Sequence, residues 1–533
     1  MTEENGEVRE LPKGWCCVQH KDIAQINPKL PLNELADDLI VSFLPMAAVE
    51  EKSGRYRLSE IREYGKVKKG YTPFINGDVI FAKITPCMEN GKVAVVENLQ
   101  NGMGCGSTEF HVSRLTSLTS RKYLFYYLVQ ERFRRDARQN MTGSAGQLRV
   151  SKSYFEEFQF PLPPLLEQER IVEKIEELFS DVDQGVESLK TAQKQLKVYR
   201  QAVLKWAFEG KLTEAWRKRQ STLKTREALL TQIKAERENR YQQQLTEWEE
   251  KVREWEAIGK VGKKPTKPSK PKELKPLTEM ECAELGQLPK YWLWIKLEEC
   301  ANAIDPQPSH RTPPKVDVGI PFISIQDFNK ETGEIDFDGA RKVASSVLTE
   351  HTERYSLDEG DFIIGKIGTV GKSFKLPSKR FFAISANVVL IQPFKEVTNC
   401  NFLFYLIKSH FVEKQFEEGS KATTQAAFGI QKVRLLNTPI TSLTEQEKIV
   451  EEIESRLSIC DQLEATIVEN LQKAEALRQS ILKQAFEGKL VPQAPNDEPA
   501  EKLLERIKAE RQANGNTEKK AKPSHQQLTL QEL

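Results

Sequence analysis

A glycine-rich run, Gly368-Thr-Val-Gly371-Lys372-Ser373, has the residue types of a phosphate-binding P-loop. In such a loop the backbone amides surround a phosphate, a lysine neutralises it, and a hydroxyl binds Mg²⁺. The full spacing requires glycine at position 366, which is Lys366 here, and no helical pattern follows the run. We therefore expect an exposed loop that presents Lys372, Ser373 and Lys375 to an anion, rather than a nucleotide site.

Other patterns that could support catalysis are incomplete. The run Gly102-Met-Gly104-Cys-Gly106-Ser107 lacks the spacing and the later acidic residue of a dinucleotide loop, so we expect a tight turn. Thr312-Pro313-Pro314-Lys315 does not match the Asp/Asn-Pro-Pro-Tyr/Phe signature of amino-group methylation. Asp358, Glu359, Asp361 and Lys366 have nuclease-like residue types, but such clusters often arise by chance.

Metal and disulfide patterns are also missing. The six histidines never occur at metal-ligand spacing, and the eight scattered cysteines form no C-x-x-C pair. No apolar run approaches the roughly 18 residues of a membrane span, and the first residues lack the apolar core of a signal peptide. The sequence therefore predicts a cytoplasmic protein with no catalytic centre, metal or cofactor of its own.

Basic residues are concentrated in two parts of a nearly neutral chain. The net charge of the 533 residues is +2. Residues 55–152 carry 17 Lys and Arg against 8 Asp and Glu, and residues 360–434 carry 11 against 5. Two such blocks favour two surfaces that face phosphate, although ordinary solvated faces would give a similar count.

The chain contains an internal repeat. Residues 167–212 align with residues 445–490 without a gap and are identical at 21 of 46 positions. Shorter matches surround them: LPKGW (11–15) with LPKYW (288–292), GDVIFAKI (77–84) with GDFIIGKI (360–367), and ALLTQIKAER (228–237) with KLLERIKAER (502–511). The chain is thus a globular domain followed by a long helix, present twice.

Both long repeats have the heptad pattern of helices that pack on one another. The seam consists of Ile175, Val182, Leu189, Leu196 and Val203 in the first copy, and Ile453, Cys460, Ile467, Ala474 and Ile481 in the second. Companion apolar positions are Leu178, Ala192, Tyr199 and Trp206 in the first copy, and Leu463 and Leu477 in the second. Gly210 and Gly488 are expected to end the helices. We predict an antiparallel pair.

The globular halves contain short strand-like runs at 79–84, 93–96, 362–367 and 387–391, and one aromatic helix each, at 123–133 and 402–411. Between the copies, a charged helical stretch precedes a lysine- and proline-rich segment, which we interpret as an extended, semi-rigid linker.

The predicted fold class is α+β, with two globular α+β domains, two long antiparallel coiled-coil helices and a pseudo-twofold repeat. The expected boundaries are 1–165 for the first globular domain, 166–258 for the first helical spacer with its charged extension, 259–284 for the linker, 285–442 for the second globular domain, 443–512 for the second spacer and 513–533 for a disordered polar tail.

Several of these segments resemble the specificity subunits of type I restriction–modification enzymes. The resemblance rests on LPKGW, VSFLPMAAVEE (41–51), GDVIFAKITPCMENGK (77–92), PLPPLLEQERIVEKIE (161–176), the repeated AFEGKL, and LVPQAPNDEPAEKLLERIKAER (490–511). It covers residues 10 to 512, and the charged insert at 213–285 departs from the family pattern.

The resemblance implies a prokaryotic protein whose two globular halves are target-recognition domains, each recognising one part of a split site in double-stranded DNA. It also implies that the helices set the spacing and bind two methylation subunits, which methylate adenine N6 with S-adenosylmethionine. Restriction subunits, using ATP and Mg²⁺, would complete the nuclease.

Candidate DNA contacts follow from position and charge, because Arg and Gln can bind guanine and adenine edges while Lys more often meets phosphate. In the first half they are Lys66, Lys68, Lys69, Arg132, Arg134, Arg135, Arg138, Gln147 and Arg149. In the second half they are Lys372, Ser373, Lys375, Lys379, Arg380, Lys421 and Gln425.

Two other functions are compatible with parts of the sequence. One is a coiled-coil tether whose globular halves bind proteins, which the two basic blocks disfavour. The other is a self-contained modification enzyme, which the missing methylation signature disfavours.

Overall fold

The computed structural model describes the chain except for residues 1, 5, 6, 10, 30–34, 145, 263, 276, 308–310, 330, 331, 379, 380, 421–426 and 521–533. It divides into two compact units. The N-terminal unit comprises residues 1–190 and 468–533, and the middle unit comprises residues 191–467. Each long helix therefore begins in one unit and ends in the other.

The N-terminal unit is α+β, as predicted. Its strands are β1 Thr2–Glu4, β2 Glu7–Arg9, β3 Cys16–Gln19, β4 Ala24–Ile26, β5 Ile40–Leu44, β6 Glu60–Glu63, β7 Thr72–Ile75, β8 Val79–Ala82, β9 Val93–Val95, β10 Met103–Gly106, β11 Phe110–Leu115, β12 Met141–Thr142, β13 Arg149–Val150 and β14 Gln159–Leu162. Its helices are α1 His20–Ile23, α2 Tyr64–Val67, α3 Arg121–Val129, α4 Glu131–Gln139, α5 Lys152–Glu157 and the start of α6 Leu165–Phe208.

The middle unit contains α7 Glu214–Arg219, α8 Arg226–Ala257, α9 Glu279–Leu285, β15 Leu293–Lys296, β16 Ala301–Ile304, β17 Ile320–Ile323, β18 Lys342–Val343, α10 Ser345–Thr352, β19 Phe362–Gly365, β20 Ser373–Lys375, β21 Ala383–Ile384, β22 Val388–Pro393, α11 Cys400–Ile407, α12 His410–Ser420, α13 Ile430–Arg434, β23 Asn437–Ile440 and the start of α14 Leu443–Phe486. Helix α15, Ala500–Lys520, follows and belongs to the N-terminal unit.

The sheets repeat as the sequence does. An antiparallel sheet of order β4-β11-β8-β9 in one unit corresponds to β16-β22-β19-β20 in the other. A second sheet contains a parallel pair in each unit, β5 with β10 and β17 with β21. The motif GDxI has the same structural task in both copies, since the buried Asp78 and Asp361 each accept a backbone hydrogen bond, from Ile75 and Asp358, at 2.9 Å.

The start of each long helix is fixed by a buried glutamine. Gln168 accepts a hydrogen bond from the backbone of Ser120 at 2.9 Å, and Gln446 accepts one from Asn399 at 2.8 Å. Ser120 and Asn399 are the N-caps of α3 and α11, so one amide joins two helix starts. This requirement explains why EQE recurs in the two repeats.

Glycine ends each long helix, which confirms the predicted caps. Gly210 and Gly488 have φ of 71° and 66°, and the next residue donates a backbone hydrogen bond to Trp206 or Gln484 at 2.8 Å. That arrangement satisfies carbonyls that a helix end leaves unpaired. A Cβ at Gly210 would also collide with Pro289, and one at Gly488 with Pro12, in the repeated LPK segments. Glycine is therefore required both by the positive φ and by the lack of space.

Helices α6 and α14 pack antiparallel. In the N-terminal unit Arg478 pairs with Asp183, and in the middle unit Arg200 contacts Asp461 at 2.6 Å and Glu464 at 3.0 Å. All ten seam positions are buried or half-buried. The companion positions divide into two groups. Leu178 and Ala192 are half-buried, as expected, whereas Tyr199, Trp206, Leu463 and Leu477 are 37 to 50% exposed.

Two local expectations are wrong. Each aromatic helix is a pair of helices, α3 with α4 and α11 with α12. The first break occurs because Gln130 leaves helical geometry with a ψ of 139°. Residues 103–106 of the glycine-rich run form the buried strand β10 rather than a tight turn, and only Gly102, with a φ of 74°, lies in the turn before it. Its glycines are needed for space, because a Cβ at Gly104 or Gly106 would collide with Phe74 or the backbone of Leu44. Helix α15 also enters the tail expected to be disordered, and residues 521–533 lie outside the described residues.

A pair of buried histidines borders Phe155 in the N-terminal unit. His20 Nδ1 donates to the carbonyl of Phe155 at 2.8 Å, and His111 Nε2 donates to that of Val150 at 2.9 Å. Asn27 donates to His111 Nδ1, which requires the neutral ring. Burial lowers the pKa of His20 to about 3 and that of His111 to about 4.

Within the described residues, no helix is long and apolar enough to cross a membrane.

Replacing Leu503 by Ala should destabilise the N-terminal unit by about 2–5 kcal/mol, because a fully buried leucine leaves a cavity. Leu503 lies in the core of that unit, and its repeat counterpart Leu229 lies in the core of the middle unit. Hydrogen exchange read by mass spectrometry should therefore show faster opening of residues 11–30 in L503A and of residues 288–300 in the matched variant L229A. Equal effects of either variant on both units would contradict this assignment.

The N-terminal unit should lose stability in acid. The unfolded chain binds protons at histidine near pH 6.5, whereas the folded pKa values of about 3 and about 4 are lower. The histidines impose no penalty above pH 6.5, and below it the free energy of unfolding decreases as pH falls towards 4, by up to about 1.4 kcal/mol per pH unit for each histidine. His111→Gln keeps a donor without titrating, so urea unfolding at several pH values should show a shallower decline. The exposed His410→Gln is the control, and an unchanged slope in H111Q would refute the explanation.

Candidate nucleic-acid interface

A surface loop lies against the end of the central strand in each unit. In the N-terminal unit Val150 N donates to Lys83 O at 2.8 Å, and Thr85 N donates to Leu148 O at 3.0 Å. In the middle unit Phe428 N donates to Lys366 O, also at 2.8 Å, and Ile367 pairs with Ala427. Residues 148–150 and 427–428 therefore occupy equivalent positions in the repeat. Lys421 and Gln425 lie outside the described residues.

Arg149 holds the first loop in place. Its guanidinium binds Glu109 through two hydrogen bonds of 2.9 Å, and its third nitrogen donates to the carbonyl of Gln147 at 3.1 Å. The hydrogen bonds from Arg149 lower the pKa of Glu109. The side chain of Gln147 is exposed at the tip of the loop, which leaves its amide available for hydrogen bonds to a ligand.

The arginines of α4 have different environments. Arg134 is buried and donates to the carbonyls of Val129, at 3.1 Å, and Glu89. Arg138 binds the Glu89 carboxylate at 3.1 Å, and Arg135 binds Glu131 at 3.1 Å. Arg132 is exposed. Since segment 83–92 contains both Glu89 and the residues that bind loop 143–149, the structure places α4 and that loop on one edge.

The lysines at 66–69 belong to a different part of the N-terminal unit. They lie on α2 and the turn after it, next to the sheet of order β6-β5-β10-β7. Lys66 pairs with Glu63 at 3.1 Å and Lys68 with Asp37 at 2.6 Å. Lys69 and its neighbour Tyr71 are exposed. These lysines form a second candidate surface, named here the α2 surface.

In the middle unit the glycine-rich run is the turn of a hairpin. Ile364 pairs with Ser373 across the antiparallel strands β19 and β20, so no helix follows the turn as a P-loop would require. Lys372 is exposed, whereas Ser373 is buried in the strand. Lys375 donates to Asn401 at 2.7 Å and lies 5.1 Å from the centre of the Phe404 ring. Lys379 and Arg380 lie outside the described residues.

Lys408 is a basic residue that the sequence analysis did not select. Its ammonium lies 5.1 Å from the centre of the same Phe404 ring, and burial lowers its pKa. The two lysines thus share one aromatic side chain, a cation–π arrangement. No spacing rule joins residues 375 and 408, because the contact depends on how β20 packs against α11.

The nuclease-like cluster has structural partners. Asp358 binds Lys395 at 2.6 Å, Asp361 binds Gln392 at 2.6 Å, and Lys366 binds Asp305 at 2.9 Å. Within the described residues, no group of three or more His, Cys, Asp or Glu side chains could hold a metal ion.

Three exposed candidates, Lys66, Arg135 and Arg138, are paired with carboxylates, and so are the half-buried Lys68 and Arg149. Exposed ion pairs contribute only about 0–1 kcal/mol, so a phosphate can replace the carboxylate at little cost. Lys and Arg side chains in such an arrangement can bind a polyanion, and the exposed amide of Gln147 can donate and accept hydrogen bonds.

Comparison with known proteins identifies the family. The family model for the type I restriction modification DNA specificity domain matches twice, at residues 12–197 and 291–473, which together cover more than half of the chain. The EcoAI specificity subunit of Escherichia coli is 44% identical over 176 residues, which is 33% of this chain and 30% of that subunit. The E. coli EcoBI specificity subunit is 24% identical over 384 residues, covering 70% of this chain and 69% of that subunit. The alignments with the EcoAI and EcoEI subunits thus span about a third or less of those relatives, at 30% and 29%.

Two solved structures share the fold. A chain from a study of complex assembly and conformational transition of the type I R-M system has a TM-score of 0.59 and 19% identity, with coverage of 90% of this chain and 100% of that one. The HsdS subunit from Thermoanaerobacter tengcongensis has a TM-score of 0.52 and 18% identity, with coverage of 90% and 98%. The duplicated α+β unit, the paired long helices and the two matched segments lead to one conclusion. The chain belongs to the family of type I restriction–modification DNA specificity subunits.

Proposed function

We propose that this chain recognises a split, asymmetric site in double-stranded DNA, each globular half binding one part and the first half binding the 5′ part. The observation that supports this most directly is the equivalent position of residues 148–150 and 427–428, held at the end of the same strand by Val150–Lys83 and Phe428–Lys366. Lys152 and Lys432 follow these segments and are exposed. Phosphate contacts from such residues orient a protein whose loops contact bases.

The long helices set the distance between the half-sites and bind two methylation subunits. The apolar side chains of Tyr199 and Trp206 on α6, and of Leu463 and Leu477 on α14, are partly exposed along these helices. Apolar and aromatic residues are typical of the centre of a protein–protein interface. The partners would supply the adenine-N6 chemistry with S-adenosylmethionine, and restriction subunits would add ATP- and Mg²⁺-dependent cleavage. This chain would carry no catalytic centre and would act in the cytoplasm.

The proposal is tested by selection from a random duplex library with the full chain and its methylation partner. Enrichment of two short motifs at a fixed separation is the expected result. No enrichment at low salt would refute it, and methyl transfer by this chain without a partner would favour a self-contained enzyme.

Gln147→Ala should weaken recognition at one position of one half-site by about 1–3 kcal/mol, since a bidentate amide contact to a base would be lost. The other half-site should be unaffected. Binding to a panel of single-base variants of the enriched site measures this effect. Gln184→Ala, an exposed glutamine on α6 in the same unit, is the matched control. Equal loss at both half-sites would contradict independent recognition.

Removing one heptad from each long helix should shorten the spacing and keep both half-sites. Deleting 186–192 together with 465–471 preserves the seam and removes about 10 Å of helix, equivalent to about three base pairs. Library selection with this variant measures the new separation. Replacing the same heptads with unrelated heptads of equal length should leave the spacing unchanged, and an altered half-site in the shortened variant would speak against a spacing role.

A further inference from the structure

The charged insert of the middle unit forms an ordered hairpin, named here the lysine arm (residues 226–277). The first half of this hairpin is helix α8, whose N-terminal part is anchored in the middle unit. Leu229 and Ile233 are buried in the core, and Arg240 lies 4.3 Å from the centre of the Phe394 ring. From Tyr241 to Ala257 the helix continues for about 25 Å.

The chain turns at the end of α8 and returns along the helix. Gly259 has a φ of 78°, and Lys260 N donates to Trp255 O at 2.9 Å, which closes the helix as in the two long helices. Trp255 then donates its indole N–H to Gly262 O at 3.2 Å, and Trp248 donates to Pro265 O at 3.0 Å. Arg237 donates to Lys272 O at 3.1 Å. The partners run in opposite directions, so the return segment is antiparallel to α8.

Every third residue of the return segment faces the helix. The half-buried positions are Pro265, Pro268, Pro271, Leu274 and Leu277. A polyproline II helix has three residues per turn, which places these side chains on one line. The half-buried positions of the helix follow a heptad-like stripe, comprising Tyr241, Leu245, Trp248, Val252 and Trp255. The segment expected to be a linker is thus packed on α8 along its length.

This packing turns the lysines outwards. Residues 258–277 contain seven lysines and one glutamate, a net charge of +6. Lys264, Lys270, Lys272 and Lys275 are exposed, and Lys267 is exposed with its ammonium 5.4 Å from the centre of the Trp248 ring. Helix α8 carries more acidic than basic residues, so the positive charge is concentrated on the return segment.

We infer that the lysine arm binds the phosphate backbone of duplex DNA without regard to sequence, outside the bases that the loops recognise. This inference rests on the proposed function. Lysine is a compact point charge that contacts phosphate without the fixed geometry of a base contact. The packed return segment holds its lysines on the two sides of the helix-facing line, Lys264, Lys267 and Lys270 on one side and Lys272 and Lys275 on the other. Because the backbone of the segment is already ordered, little conformational entropy is lost when it binds DNA. The arm is joined to a unit that holds the same duplex, so its effective concentration near DNA is high.

The test replaces Lys264, Lys270, Lys272 and Lys275 by Gln in the full chain. Lys267, whose ammonium lies over the Trp248 ring, is left in place. Affinity for a random-sequence 40-base-pair duplex is measured from 50 to 200 mM salt, alone and with the methylation partner. Each lost phosphate contact lowers the slope of log K against log salt by about 0.9, so a decrease of about 2 to 4 is expected. Affinity near 100 mM salt should fall at least about tenfold, while the enriched motif stays the same.

The matched control replaces the same four lysines by Arg, which preserves charge and should retain the salt slope. Hydrogen exchange of residues 241–257, read by mass spectrometry, reports whether the arm remains folded. The Lys270→Gln, Lys272→Gln double variant gives a smaller perturbation, with an expected slope change of about 1 to 2. An unchanged slope in the folded Gln variants would overturn the inference. So would a variant that binds DNA normally and loses the methylation partner, because the arm would then bind protein. If the unaltered chain enriched no motif from the library, the proposed function itself would be refuted.

Discussion

The buried glutamine at the start of each long helix is the constraint on which the rest of the structure depends. Gln168 and Gln446 are fully buried, and each uses both ends of its amide on backbone groups of its own globular half. A buried amide that lost these partners would cost about 1–3 kcal/mol for each unsatisfied group. The helix therefore leaves each globular half at a fixed angle, and the direction of the helix is tied to the N-cap of the aromatic helix beside it.

Much of the fold could be predicted from the sequence because each structural pattern occurs in both copies of the repeat. The heptad seam, the terminal glycines and the strands after Asp78 and Asp361 were all recognisable from period and spacing. The break at Gln130 was not, since glutamine is an ordinary helix residue and the break depends on tertiary packing. Strand β10 was missed because its glycines are required by the Phe74 ring and the Leu44 backbone, which are distant in the sequence.

The candidate interface was less predictable than the fold. Charge and loop position selected Gln147 and Lys372, which are exposed, but they also selected Arg134 and Ser373, which are buried. Composition cannot distinguish an arginine that supports a loop from one that faces a ligand, because both uses need the same five donors. The equivalence of Val150 and Phe428 became visible only through their backbone hydrogen bonds to Lys83 and Lys366.

The two units differ in when their cores can close during synthesis. The core of the middle unit is built from residues between 203 and 453, which leave the ribosome as one continuous stretch. The core of the N-terminal unit includes Trp15 and Ile175 but also Phe486 and Leu503. At about 5–20 residues per second, its first part waits on the order of tens of seconds for its last part. Throughout that interval, the apolar surface that α14 and α15 will cover is exposed. The middle unit, although it is synthesised later, is therefore the first that can finish folding.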